Sequence, residues 1–282
     1  MSLYTIIVMA QIGFNTWPYA SFPVWTPSYT LEDTIDHIDA AGFNSIEFGA
    51  ASPHAWPQYM TESRQSSIQD RLNDSDLTVS SVCPALGGGP GPNPASPLEK
   101  EREAAREHYF GCLDIASTFD ADVVLWVGGW RFQGQRYEDA WANQRAILED
   151  VLKMADKIDK TVVIEANPAD VNLIETTQDQ LRLLEEVDSP AAAAMFDTAH
   201  AAHRGESPSV HVEELAEHLE HLHLSDTDRL PPGEGNLSFR AMFDRLDDIG
   251  YDGHYTTEIF GGHLNPDEAA RTTRENLSAM LG

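Results

Sequence analysis

The chain has 282 residues, with 46 acidic against 18 basic side chains and a formal net charge of −28. The basic set is 14 Arg to 4 Lys, a surface that stays hydrated and screened in high salt, so a halophilic source is expected before an ordinary acidic cytosolic protein. That field repels phosphate backbones and excludes non-specific nucleic-acid binding, and two cysteines, Cys83 and Cys112, make no disulfide framework and read as buried reduced thiols.

The first apolar stretch, LYTIIVMAQIGF, lacks a basic flank and is soon interrupted by Asn15. It reads as a core strand rather than a signal or a spanning helix, so no membrane partner and a cytoplasmic protein are expected. From there, short β-branched or apolar runs alternate with stretches of helical period, the rhythm of βα units on a parallel sheet. The predicted strands are YTIIVMA near 4–10, SIEFG 45–49, LTVSSVC 77–83, DVVLWVG 122–128, TVVIEA 161–166, AAAMFD 192–197, LEHLHLS 219–225 and HYTTEIF 254–260. Between them, TLEDTIDHIDAAG 30–42 places Ile35 and Ile38 on one helix face, opens on a Thr cap and ends in Gly42, and a longer helix is predicted over 138–158. Eight strands in this rhythm predict an α/β (β/α)8 TIM barrel spanning 1–282 as a single domain, and no G-x-G-x-x-G follows the first strand to support a dinucleotide fold. The Gly/Pro loop 84–97 after the third strand reads equally as a connector or as a lid over the active face.

The C-terminal ends of the later strands concentrate the chemistry. The fifth ends in Glu165, the sixth in Asp197 followed by His200, the seventh contains His223, and the eighth ends in Glu258. Buried carboxylates are costly unless paired or metal-bound, and four consecutive strands deliver ligand-type side chains to one rim. Three carboxylates and one imidazole suit a six-coordinate divalent ion with open positions for substrate oxygens, Mn²⁺ first, then Mg²⁺ or Co²⁺, before structural zinc. Such an ion would polarise a carbonyl and acidify the neighbouring C–H, while glutamates on opposite sides remove and return the proton.

The set IEAN, MFDTAH, HLHLSDTDRLPPGEG and TTEIFGG resembles the xylose isomerase-like TIM-barrel superfamily of sugar isomerases and epimerases, and within it the ketose 3-epimerases of the tagatose and psicose type. The resemblance is strongest from residue 161 onward. It implies metal ligands Glu165, Asp197, His223 and Glu258, with Glu165 and Glu258 doubling as the acid/base pair and His200 and Arg229 binding substrate oxygens. It also implies a homo-oligomer that closes its pockets with a neighbour's loop. Where those epimerases carry a second sugar-contacting glutamate, six residues after the first, this chain has Val171 beside Asp170. The expected function is therefore a divalent-metal-dependent isomerase or epimerase acting through an enediolate on a ketose or small keto-polyol, with an inosose-type dehydratase and hydroxypyruvate isomerase as alternatives. An endonuclease IV-type repair enzyme is disfavoured, because the stretch after the seventh strand offers no D-x-H element and the charge opposes DNA.

Other residues carry plainer expectations. His221 shares the face of His223 one layer deeper and reads as a packed core histidine. Glu47 either contacts substrate or bridges to an arginine. Asp226 and Asp228 are expected in solvent or paired with Arg229, and His54 and His263 exposed in loops. Trp17, Trp56, Trp130 and Phe260 read as wall packing or substrate contacts, with Trp17 placed in the substrate set. Arg131 and Arg136 either meet a phosphate or neutralise the acidic surface; a non-phosphorylated substrate is favoured.

Overall fold

The structure, a computed structural model, describes residues 10–20, 28–86, 91–260 and 265–282. Eight parallel strands close in chain order: β1 Ile12–Asn15, β2 Ser45–Ala50, β3 Thr78–Pro84, β4 Val123–Trp126, β5 Thr161–Ile164, β6 Ala192–Asp197, β7 Leu219–Leu224 and β8 Tyr255–Thr257. The seam is direct, with Ile12, Gly13 and Phe14 of β1 opposite Tyr255, Thr256 and Thr257 of β8. Around the barrel the described residues place α1 Leu31–Ala40, α2 Glu62–Asn73, α3 Glu99–Thr118, α4 Tyr137–Lys157, α5 Thr177–Val187, α6 Thr198–Arg204, α7 Pro208–Leu215, α8 Arg240–Ile249 and α9 Pro266–Leu281. This is a (β/α)8 barrel. No helix among the described residues is long and apolar enough to cross a membrane.

At α1 the local signals act as expected, and α5 adds one not anticipated from the sequence. Thr30 caps α1 by accepting from the Asp33 amide at 3.1 Å, and Gly42 follows the helix at φ +83°, where a side chain would be strained. Thr176 and Asp179 form a reciprocal capping box at the start of α5. The first strand differs: the apolar run at 4–9 lies outside the described residues, and the barrel strand found is the following Ile12–Asn15. Its Gly13 faces inward, where a Cβ would come within 3.0 Å of the Thr256 hydroxyl, so the barrel selects a small residue there at the expense of strand propensity.

Alternation along the strands separates two environments. Phe14, Ile46, Phe48, Val82, Val124, Trp126, Ile164, Phe196 and Leu222 join the large core against the helices. Inward, Val123, Leu125, Val163, Ala193 and Met195 form a smaller apolar cluster with Trp17 and Cys83. The rest of the interior is polar yet buried: Asn15, Glu47, Ser81, His221, His223 and Thr256 are each 1% exposed or less. Polar groups hidden that deeply need partners or a bound ion, which directs attention to the barrel's upper interior.

Candidate active site

Glu165 and Glu258 stand one residue beyond β5 and β8 but remain in the ladder, their amides donating to the carbonyls of Trp126 and Leu224 at 3.1 Å. Asp197 closes β6 and opens α6: its Oδ1 accepts from the Ala199 amide at 2.8 Å as the helix cap, which leaves Oδ2 aimed into the site. His223 on β7 sits opposite Asp197 in register. Thr198 ties the two strand ends together, its hydroxyl donating to the Ser225 carbonyl at 2.7 Å and accepting from the Ser225 amide at 2.9 Å. The backbone of four adjacent strands thus fixes the side chains that carry charge.

These side chains converge. One ligand atom each from Glu165, Asp197 and His223 lies within 4.8 Å of the others, and Glu258 Oε2 is 3.4 Å from His223 Nδ1. His200, on the first turn of α6, places Nε2 3.4 Å from Glu165 Oε1 and 3.5 Å from Asp197 Oδ2. Arg229 enters from the loop after β7, with one guanidinium nitrogen 2.7 Å from Asp197 Oδ2 and 2.6 Å from Glu258 Oε2. Its planar group also lies over the Phe260 ring at 4.9 Å.

The loop that delivers Arg229 is strained and stapled. Asp228 and Arg229 are left-handed at φ +60° and +58°, a conformation costing about 1–2 kcal/mol per non-glycine residue. Asp226 holds the loop in that shape: its two oxygens accept from the amides of Thr227, Gly233 and Leu237 at 2.8–2.9 Å. The two charge-assisted contacts of Arg229 offset the strain.

The electrostatics separate the carboxylates. Burial lifts the Glu165 carboxyl above the usual range, and the neighbouring charges of Asp197 and Glu258 add to this against the pull of His200. Burial would lift Glu258 as well, but Arg229 and His223 hold it at about 2. For His200 burial favours the neutral ring, yet Asp197 and Glu165 raise it.

Beneath this rim lies a second set. Glu47 on β2 is fully buried, and its carboxylate receives four donors. Oε1 takes Asn15 Nδ2 at 2.5 Å and His223 Nε2 at 2.8 Å; Oε2 takes the Ser81 hydroxyl at 2.6 Å and His221 Nε2 at 3.0 Å. Burial alone would raise Glu47, but His223 and His221 hold it well below the ordinary carboxylate range.

Whether this cluster suits a divalent cation can be judged from the atoms themselves. His223 Nδ1 is buried without a hydrogen-bond partner and faces Glu258, and three carboxylates share the same small space. In the structure that excess negative charge is met by Arg229. An orphaned imidazole nitrogen beside hard oxygen donors fits a divalent ion. Glu165, Asp197, His223 and Glu258 are the residues that would hold it.

Several residues sit elsewhere than the sequence led us to expect. Glu47 meets histidines in place of an arginine or a substrate, because its depth below the rim puts both oxygens out of solvent reach. Trp17 is 4% exposed and lies across Gly49, as part of the inner wall. His221 is packed as anticipated, but with a partner, Glu47. Asp226 is fully buried in its loop instead of solvated, whereas Asp228 is exposed as expected, and Arg229 pairs with Asp197 and Glu258. His54 is also fully buried, near the Tyr29 carbonyl at 3.3 Å, and burial lowers it to about 4. Arg131 bonds the Gln135 carbonyl and Arg136 is exposed beside Glu138, both outside the carboxylate cluster. His263 lies outside the described residues, as do 87–90 of the Gly/Pro loop; within its described part Asn93 is tied to the Trp130 backbone at 2.9 and 3.2 Å. Asn167, whose Nδ2 is 3.4 Å from Glu165 Oε2, was signalled only by its place in IEAN.

The comparisons with known proteins agree with the barrel fold. The family model described as xylose isomerase-like TIM barrel matches residues 35–280. Fructoselysine 3-epimerase of Escherichia coli O157:H7 is 24% identical over 89% of this chain and 94% of its own length. L-ribulose 3-epimerase of Mesorhizobium japonicum is 24% identical over 94% of this chain and 86% of its own. The solved structure of D-allulose 3-epimerase from Methylomonas sp. in complex with D-allulose superposes with a TM-score of 0.81 at 18% identity, covering 96% of this chain and 98% of that one. The chain belongs to the xylose isomerase-like TIM-barrel family.

Proposed function

We propose that this isomerase/epimerase-type enzyme of the xylose isomerase-like family acts on a ketose or a related small keto-polyol, moving a proton at the carbon beside the carbonyl. The observation that carries the reading is the convergence of Glu165, Asp197, His223 and Glu258 around an unpartnered, buried imidazole nitrogen. The similarity to sugar 3-epimerases over nearly the whole chain supports it.

A divalent cation at these residues, Mn²⁺ before Mg²⁺ or Co²⁺, would supply Lewis acidity toward a carbonyl and its neighbouring hydroxyl. The rest of the chemistry belongs to the chain. Glu258, kept ionised beside Arg229, would take the proton from the hydroxyl-bearing carbon next to the carbonyl, giving the enediolate. Glu165, on β5 with β6 and β7 between it and Glu258, would return a proton to the other face. His200 and Arg229 reach the same space and would orient substrate oxygens. Phe260 and Trp17 would exclude water on the apolar side of the ring or chain. The anionic surface leaves neutral sugars as better-suited substrates than phosphorylated ones.

The test is solvent-deuterium exchange in D₂O with Mn²⁺ or Mg²⁺ supplied separately, over ketoses, hydroxypyruvate and inosose, with Mn²⁺ removed before NMR. Deuterium next to the carbonyl in a product of otherwise unchanged mass is the expected result. Loss of water would replace the reading with a dehydratase, and absence of exchange throughout the panel would overturn the proposed substrate class.

A further inference from the structure

The buried network below the rim has a directional property that the acid/base reading does not use. His223 has two ring nitrogens in different surroundings: Nε2 lies 2.8 Å from Glu47 Oε1, while Nδ1 has no hydrogen-bond partner and lies 3.4 Å from Glu258 Oε2. We propose that Glu47 is a positioning residue that holds His223 as the tautomer protonated on Nε2, so that the Nδ1 lone pair is presented to the carboxylate cluster. This rests on the reading of His223 as a cation ligand.

The argument is one of proton accounting. An imidazole that ligates a cation is neutral and carries one N–H, and an ionised carboxylate can only accept. Were Glu47 absent, the proton would gain most on Nδ1, where it could donate to Glu258, and that tautomer offers no lone pair to a cation. Glu47 supplies a competing anion on the other nitrogen. Its own freedom is removed by Asn15 and Ser81 from the flanking strands and by His221, so both oxygens are saturated and the carboxylate cannot turn away. Register places these groups side by side, with Asn15 opposite Glu47 on β1–β2 and Glu47 opposite Ser81 on β2–β3. Glu47, His221 and His223 are themselves close enough to resemble a ligand set. Their atoms are instead closed on one another as hydrogen bonds, and the open donor, Nδ1, points the other way. A carboxylate behind a ligating histidine is a recurring device for fixing the ring and strengthening its basicity.

Two measurements test this. Long-range ¹H–¹⁵N correlation spectra of the Mg²⁺-loaded wild type should show His223 protonated on Nε2 and not on Nδ1. Mn²⁺ titrations followed by EPR should show Glu47→Leu binding about 10–100-fold more weakly than wild type. Glu47→Gln should lie closer to wild type than to Glu47→Leu, because its amide oxygen can still accept from Asn15 and His223 while its NH₂ donates to Ser81 and to His221 Nε2, once that ring takes its other tautomer. A packing role alone would not produce that ordering together with the tautomer. Protonation of His223 on Nδ1 in the wild type, or equal Mn²⁺ affinity in wild type and Glu47→Leu, would overturn the inference. If Glu47→Leu fails to fold, Glu47→Gln decides: with a neutral partner for His223 it should bind Mn²⁺ measurably more weakly than wild type, and wild-type affinity there would overturn the inference. A wild type that binds no Mn²⁺ at all removes the metal reading and the inference with it, whereas a wild type that binds normally beside an unaffected variant removes only the role of Glu47.

Discussion

At the C-terminal rim, β5 to β8 present Glu165, Asp197, His223 and Glu258, joined by His200 and Arg229 from the segments that follow β6 and β7. β1 to β4 face the same space with Asn15, Glu47, Ser81, Cys83 and Leu125, and Trp17 closes over Gly49. Glu47 of the first half is saturated with hydrogen bonds below the rim, whereas the carboxylates of the second half crowd together around the guanidinium of Arg229. Two halves with the same backbone architecture therefore divide the work: one gathers reactive groups, the other supplies a wall and an anchor beneath it. The division follows from pairing. Adjacent strands β5 to β8 can bring acids within a few ångströms only if something cationic joins them, and the loop after β7 contributes Arg229 for that purpose.

The largest effect should come from the reactive half. Glu258→Gln removes the group proposed to take the proton and should slow solvent-deuterium exchange by about 10²–10⁴-fold at saturating cation. Exchange at the wild-type rate would remove Glu258 from the chemistry and with it the assignment of reactivity to this half. Arg229→Met should act through stability. Without a divalent cation it leaves Asp197 and Glu258 without the guanidinium that joins them, with only the imidazoles of His200 and His223 nearby, a loss on the order of 3–5 kcal/mol in chemical denaturation. Saturating Mn²⁺ should return most of that loss. An equal deficit with and without Mn²⁺ would show that the guanidinium and the cation answer different demands.

How much of this was legible in the sequence depended on depth and partner more than on residue type. The predicted β6 boundaries, 192–197, coincide with the strand found, because a run of small and apolar residues ends at an aspartate that both terminates the strand and caps the helix. Glu165 and Glu258 were legible as strand ends because each follows a short β-branched run, although neither caps a helix. Glu47 was read at the wrong height: alternation tells which face a residue takes, but how far below the rim it lies is set by register, and β2–β3 shifts register between Ile46 and Glu47. His221 and His223 were visible as one face, but that a single carboxylate from five strands away joins them is a consequence of barrel closure that no local pattern encodes. His54 and Asp226 looked like exposed loop residues because loops usually are. Their burial comes from tertiary packing, against the Tyr29 segment in one case and within a stapled turn in the other.

The smallest effect tests the wall. Gly49 lies directly under Trp17, and a Cβ there would sit 2.6 Å from Cε3 and Cη2 of the indole. Gly49→Ala must therefore displace the ring from its place beside Cys83, at a cost of about 1–3 kcal/mol for overpacking a tight site. For a chain of this size that should lower the melting temperature by roughly 2–4 °C per kcal/mol. If the two halves divide the work as argued, the displaced indole should raise the KM for the sugar several-fold, while kcat changes little and Mn²⁺ affinity stays at the wild-type value. A parallel fall in Mn²⁺ affinity would mean that the wall transmits to the cluster through Glu47, its neighbour two residues earlier on the same face of β2, and the division would then be one of composition without independence.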